Sequence, residues 1–170
     1  DVINEALKEP TLNLYSGRLP QMTIVFLNLK NPEVAFFQDA VVRIALMNGI
    51  NRQKIINTVF NGQAILANGP IFPENWAYYE GTPAWEYDLE KAKFDLREGG
   101  YVLSGDETSP RKKNNVELKF TLLYPDDETH RLIAESLKAD WAALNIFVTL
   151  QAVPYDQLIG DYLNKREYQA

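Results

Sequence analysis

Two strand-like runs separated by one helix-periodic stretch constrain this chain most. Val116–Tyr124 and Ile146–Val153 carry the apolar and β-branched residues of strands. Between them Ile133, Leu137, Trp141 and Leu144 recur at i, i+4, i+8 and i+11, one apolar stripe along a helix from about Asp127 to Leu144. The alternation extends both ways. Upstream, Met22–Leu29 reads as a strand ended by Asn31-Pro32, and its near-continuous apolar character predicts burial on both faces. Downstream, Pro154 suits the start of a last helix, Tyr155–Lys165. Strands alternating with helices predict an α/β layer.

The middle of the chain is punctuated by helix signals. Val42, Ala45, Leu46 and Gly49 predict a helix over about Asp39–Asn48. Asn51 suits the N-cap of a second helix, because its side-chain oxygen can accept an orphan amide of the first turn. Ile50 and Ile55 flank that cap as a hydrophobic staple. Ile55, Ile56, Val59 and Phe60 form the stripe, and Gly62 is the expected stop. Asp88 caps a third helix, Leu89–Arg97, which Gly99-Gly100 ends. Residues 1–20 are mixed and punctuated by Pro10 and Pro20. Ala67–Pro83 is a long loop with Pro70, Pro73 and Pro83, and its aromatics Phe72, Trp76, Tyr78 and Tyr79 predict a packed loop. Ser104–Asn115 is polar and reads as a mobile connection.

Composition narrows the function classes. A chain of 170 residues fits one domain with a core of its own. There is no cysteine, which excludes disulfides and thiolate metal sites. The net charge is -6, the opposite of the basic face that a nucleic-acid binder presents to phosphates. The one basic run, Arg111-Lys112-Lys113, reads as a solvated loop. No apolar run approaches the roughly 18 to 20 residues that span a bilayer.

Catalytic signatures are absent from the sequence. The single histidine, His130, cannot build a multi-imidazole metal site. Asp126-Asp127-Glu128 offers carboxylates to a hard cation but lacks the ligand spacing of a calcium loop, and acids also suit a helix N-terminus. There is no Gly-x-Ser-x-Gly elbow, and Glu98-Gly99-Gly100 matches no nucleotide fingerprint. With 23 acids, accidental carboxylate pairs are many and none stands out for glycoside chemistry. Neither a cofactor nor a metal is expected, and binding is the surviving class.

An ordered series of short pieces carries a resemblance. It runs Val42-Arg43-Ile44-Ala45-Leu46, Gly49-Ile50-Asn51-Arg52, Ile55-Ile56, Asn61-Gly62, Asn68-Gly69-Pro70, Pro73 and Trp76-Ala77-Tyr78. A second block follows as Tyr87-Asp88, Glu90-Lys91-Ala92-Lys93, Leu96 and Glu98-Gly99-Gly100-Tyr101. From about Val25 to its end the chain resembles the extracytoplasmic solute-binding proteins of family 5, the peptide, oligopeptide and nickel receptors of ABC importers. One departure is Asn51, where the family has Asp; both residues cap a helix.

The resemblance implies one lobe of a two-lobed periplasmic-binding-protein (type II) fold, with a mixed sheet flanked by helices. Residues 1–170 would be a single incomplete lobe, the second ligand-binding lobe of a larger receptor, ending near the start of a strand that leads to the amino-end pocket. Such receptors close by hinge motion over a solute, here a short peptide, and deliver it to the membrane permease subunits. The first lobe of the parent would supply the other wall, outside the cytoplasmic membrane. A nickel complex, an opine or an oligosaccharide is the alternative ligand; a carboxylate-dependent hydrolase and a structural or chaperone-like interaction domain are the alternative classes. Leu122-Leu123-Tyr124 followed by His130 looks like the oligopeptide branch, in which a histidine at this point lies near the peptide's carboxylate end. The candidate site is therefore Tyr124, Asp127, His130 and Arg131, with Asn68 and Trp76 from the long loop. For His130 and Arg131 the alternative is an exposed pair on the outer face of the helix. Trp76 either lines the cleft or plugs the core. Trp141 and Phe147 are expected in the core, and Arg43 is expected to tie its helix to a neighbouring carboxylate.

Overall fold

The structure is a computed structural model, and it describes residues 5–6, 8–13, 15, 17, 19, 21–73, 75–81 and 84–170. Pro20 and Pro83, two of the expected punctuation points, lie outside the described residues. A 3₁₀ helix spans Pro32–Gln38, followed by α1 (Ala40–Asn48), α2 (Arg52–Val59) and α3 (Leu89–Glu98). Three short strands follow, β1 (Val102–Leu103), β2 (Arg111–Lys113) and β3 (Val116–Glu117). The chain then builds β4 (Lys119–Pro125), α4 (Glu128–Ala142) and β5 (Phe147–Val153). A short α5 (Tyr155–Gln157) continues as a π-helix over Leu158–Leu163.

β4 and β5 pair in parallel from Lys119↔Phe147 to Pro125↔Val153, joined through α4. A parallel pair needs such a crossover, and the helix covers one face of the sheet. α4 packs on both strands, α2 packs on α4, and α1 packs on α3. The expected α/β layering is therefore present. The sheet structure is divided between this parallel pair and an antiparallel sheet in the order β1-β2-β3.

The core is threaded by aromatic edges. Phe36 meets Phe37 at 4.8 Å, Phe37 meets Phe120 at 5.1 Å, and Phe120 meets Trp141 at 5.5 Å. Trp141 is fully buried and donates its indole N–H to Leu46 O at 3.0 Å, so its one polar atom is satisfied inside the core. Burying a large apolar side chain of this kind contributes about 1.5–3 kcal/mol. Gly49 ends α1 against this core, where an added Cβ would stand 2.5 Å from Leu144 Cδ1. The expected caps are in place: Asn51, Asp88 and Asp127 each accept a backbone amide three residues on. Asn61 and Gly62 both take positive φ after α2, the left-handed exit that favours these residues.

Five expectations change. Phe147 is 38% exposed, beside the buried Val148, as alternation along a strand produces. Arg43 donates to Phe37 O and Gln38 O, at 2.7 and 2.8 Å, so it fastens α1 to backbone carbonyls and not to a carboxylate. Ser104–Asn115 is not a plain connection: Asn114 and Asn115 supply the positive-φ turn of a β2–β3 hairpin. Arg111 within it is buried, donating to Leu144 O at 3.0 Å and Tyr101 O at 2.9 Å, where the sequence suggested a solvated charge. Lys113 likewise reaches Asp39 at 3.2 Å beside Tyr101.

Met22–Leu29 is the fifth. It forms no strand ladder, and Ile24, Val25 and Phe26 are exposed rather than buried on both faces. One backbone bond near its end, Asn28 N–H to Gln169 O at 2.9 Å, joins it to the C-terminal residues. The buried Asn28 side chain donates to Arg166 O and Tyr168 O at 2.9 and 2.8 Å. That clamp directs Gln169 and Ala170 along β4, where Ala170 N–H donates to Thr121 O and Leu123 N–H donates to Ala170 O. The apolar residues Met22–Phe26 are thus left lining a groove rather than filling a sheet.

Candidate functional site

The crossover geometry fixes where a site can lie. In an open α/β layer, ligands bind beyond the carboxyl ends of the strands, where the following helix begins. Here β4 ends at Pro125 and α4 begins at Glu128. Two backbone bonds hold the turn, Asp126 N–H to Val153 O at 2.9 Å and Asp127 N–H to Pro125 O at 2.8 Å.

A groove of about 240 Å³ opens at this corner. β4 lines it with Leu122–Pro125, and α4 with His130, Ile133, Ala134 and Leu137. Met22–Phe26 form another side, Tyr155, Leu158, Ile159 and Leu163 a third, and Tyr168 and Ala170 complete it. No Lys, Arg, Asp or Glu is among these lining residues. His130 is the one lining side chain that can become cationic, and Tyr124, Tyr155 and Tyr168 line the groove with it. An apolar cleft with a few polar groups is the usual make-up of a small-ligand site.

Asp127 serves twice at the groove's edge. Its Oδ1 accepts the His130 backbone N–H at 2.9 Å and caps α4, while its Oδ2 lies 2.7 Å from His130 Nδ1. The His130 backbone bond foremost, with the imidazole, holds the Asp127 carboxyl below its ordinary range against the opposing effect of burial. Arg131 turns elsewhere. Its guanidinium is engaged by Glu128 at 2.9 and 2.7 Å and by Glu135 at 2.6 Å. The Glu128 hydrogen bond foremost raises the Arg131 pKa, and that bond in turn lowers the Glu128 pKa. Arg131 is thus paired along the helix and absent from the groove lining.

The long loop sits apart. Arg52 staples its two ends to α2, donating to Ala67 O at 2.8 Å and Trp85 O at 2.6 Å. α2 meets the far half of α4, where Asn51 N–H donates to Asp140 at 2.9 Å. At 1.5 Å rise per residue, Asp140 lies roughly 15 Å along the helix from His130. Trp76 is 95% exposed, so it plugs no core, and it does not line the groove. Asn68 lies outside the groove as well, with its Oδ1 buried and without a hydrogen-bond partner. The structure therefore brings together Tyr124, Asp127 and His130 but not Arg131, Asn68 or Trp76. Among the described residues no three His, Asp or Glu side chains group closely enough to hold a metal ion.

Tyr155 was missed in the sequence. It follows Pro154, reads as a helix start, and stands 64% exposed at the groove. An aromatic at the first position of an element that leaves the carboxyl end of β5 was the available signal.

The chain is 28% identical over 159 residues to the dipeptide-binding protein of Escherichia coli K12, covering 93% of this chain and 27% of that protein. It is similar to the oligopeptide-binding protein AppA from Bacillus subtilis, solved with a nonapeptide, with a TM-score of 0.72 and 28% identity over 78% of this chain and 26% of that one. NikA from Brucella suis shares the fold, with a TM-score of 0.73 at 21% identity, over 84% of this chain and 28% of that one. The chain spans about a quarter of the length of these relatives. The family described as bacterial extracellular solute-binding proteins, family 5 Middle, matches residues 1–170, and the chain belongs to that family.

Proposed function

We propose that the protein to which this chain belongs is an extracytoplasmic receptor that captures short peptides for an ABC importer. This chain forms part of one ligand-binding lobe, with the first lobe of the same parent closing over the ligand from the opposite side. The observation that carries the reading is the apolar groove at the carboxyl end of β4, with His130 as its one lining side chain that can become cationic. A peptide offers such a groove apolar side chains and one anionic terminus. Tyr124, His130 and Tyr155 contact the ligand in this reading, and Asp127 orients His130. The similarity to proteins named for dipeptide binding and solved with a nonapeptide supports the same ligand class. The work is binding and closure without covalent chemistry, followed by delivery to the importer's membrane permease subunits; membership of the family supports this role and a place outside the cytoplasmic membrane. Native mass spectrometry of the full-length parent, purified without refolding, tests it. A heterogeneous set of co-purifying short peptides is expected; a single non-peptide mass, such as a sugar or metal complex, would remove the peptide assignment.

A further inference from the structure

We propose that Asn68-Gly69 is a self-modification site, at which Asn68 loses its side-chain amide and gains a carboxylate that pairs with Arg52. The inference is independent of the peptide reading. The Gly69 backbone nitrogen attacks Asn68 Cγ and forms an N–Cγ bond in a five-membered succinimide. The Cγ–Nδ2 bond breaks, and that nitrogen departs as ammonia with the proton that Gly69 N–H gives up. Water then opens the ring at either carbonyl, leaving aspartate or isoaspartate at position 68. The balance is one water in and one ammonia out, with no oxidation or reduction.

Glycine at the attacking position leaves the approach open, since it has no Cβ. The chain has three such pairs, Asn48-Gly49, Asn61-Gly62 and Asn68-Gly69. The fold separates them. Asn48 is buried at the end of α1, and Gly49 N–H donates to Ala45 O at 2.8 Å. Asn61 is exposed after α2, but Gly62 N–H donates to Ile56 O at 3.0 Å. In both pairs that bond must open before the nitrogen attacks. Gly69 N–H has no hydrogen-bond partner among the described residues, and an added Cβ at Gly69 would meet nothing within 4 Å. The Asn68 side chain has no hydrogen bond among the described residues either, and its Oδ1 is a buried acceptor without a donor. No hydrogen bond therefore holds that side chain away from the Gly69 nitrogen.

Arg52 gives the new carboxylate a partner. Its guanidinium donates to Ala67 O at 2.8 Å, the carbonyl of the peptide group that carries Asn68 N, and to Trp85 O at 2.6 Å. Both acceptors are neutral. Burial lowers the Arg52 pKa, and no carboxylate offsets it among the described residues. A carboxylate at position 68 brings the missing counter-charge one residue from that bond.

Peptide mapping tests the chemistry. The full-length parent is held folded at mildly alkaline pH, sampled over time and digested with trypsin, and fragment ions locate each amide-to-acid conversion. Position 68 should convert about fivefold or more faster than position 61, the factor set by one hydrogen bond that must open, with position 48 slowest. In urea-unfolded protein the advantage over position 61 should vanish. Gly69→Ala fits the open space there and should slow conversion at position 68 severalfold while leaving position 61 unchanged. Conversion at position 61 as fast as at 68 in the folded protein overturns the proposal. So does a ranking that urea leaves unchanged, or a rate at position 68 that Gly69→Ala does not slow. Asn68→Asp tests the pairing. Its melting temperature should fall more than wild type's as salt is raised, because salt screens the new pair with Arg52. An equal salt response in the two proteins overturns the pairing.

Discussion

Asn28 is the residue on which the groove's shape depends, and its substitution gives the sharpest test of the packing. Its buried amide donates to Arg166 O at 2.9 Å and Tyr168 O at 2.8 Å. In Asn28→Ala both bonds disappear, but the two carbonyls fare differently. Tyr168 O still accepts from Asn31 Nδ2 at 3.1 Å, whereas Arg166 O has no second side-chain donor among the described residues. One hydrogen bond lost at about 1 kcal/mol and one carbonyl left unpaired at about 1–3 kcal/mol give a cost of about 2–4 kcal/mol. Asn28→Asp is the stricter case. It keeps the shape and replaces the two donors by a carboxylate facing two carbonyl oxygens, so its cost at neutral pH should exceed that of alanine. The new carboxyl would have its folded pKa raised above about 3.9, so its destabilisation grows as the pH rises through that range and fades below it. Urea unfolding of the chain is the assay. With a slope of about 1–3 kcal/mol per molar, the alanine variant should lower the midpoint by about 1–2 M. Hydrogen exchange should speed at Leu123 and Ala170, whose bonds the clamp positions. An aspartate variant as stable as wild type at neutral pH would refute the reasoning.

Further outcomes follow from single contacts. Trp141→Phe removes the indole bond to Leu46 O and some core volume; a cost of about 2 kcal/mol should lower the melting temperature by about 4–8 °C in scanning calorimetry. Gly49→Ala places a methyl against Leu144, and overpacking there should cost about 1–3 kcal/mol in urea unfolding. Trp76→Ala should change unfolding stability by less than about 0.5 kcal/mol, because the side chain is 95% exposed. Burial works against the Asp39 charge, yet bonds from Val41 N–H, Tyr101 OH and Lys113 hold its carboxyl below the ordinary range. Stability from Asp39 is therefore present above about pH 4 and lost as pH falls through the folded value, so Asp39→Asn should flatten that acid slope in urea midpoints measured from pH 3 to 7.

The legible parts of the fold were those set by local sequence. Asn51, Asp88 and Asp127 each cap a helix with their own side chains, so neighbouring residues suffice to place them. The α4 stripe points at one sheet, and its periodicity is local too. What the sequence hid depends on partners far along the chain. Met22–Leu29 has strand composition, but its one long-range backbone partner among the described residues is Gln169, so residue types could not decide between sheet and groove wall. Arg111 looks solvated in a basic run until Leu144 O and Tyr101 O are brought to its guanidinium. At the site, Tyr124, Asp127 and His130 sit within seven residues around one turn and could be read together. Tyr155 comes to them through the parallel β4–β5 register, and Asn68 and Trp76 are carried away by the Arg52 staple.

In the proposed function the groove beside His130 holds the peptide's carboxylate end. A crystal structure of the full-length parent with trialanine bound measures this directly. The terminal carboxylate is expected within hydrogen-bond distance of the His130 ring, with Tyr124 and Tyr155 against the ligand and Asp127 still on Nδ1. A peptide bound with its carboxylate away from this groove, or with the His130 ring turned to solvent, would contradict it.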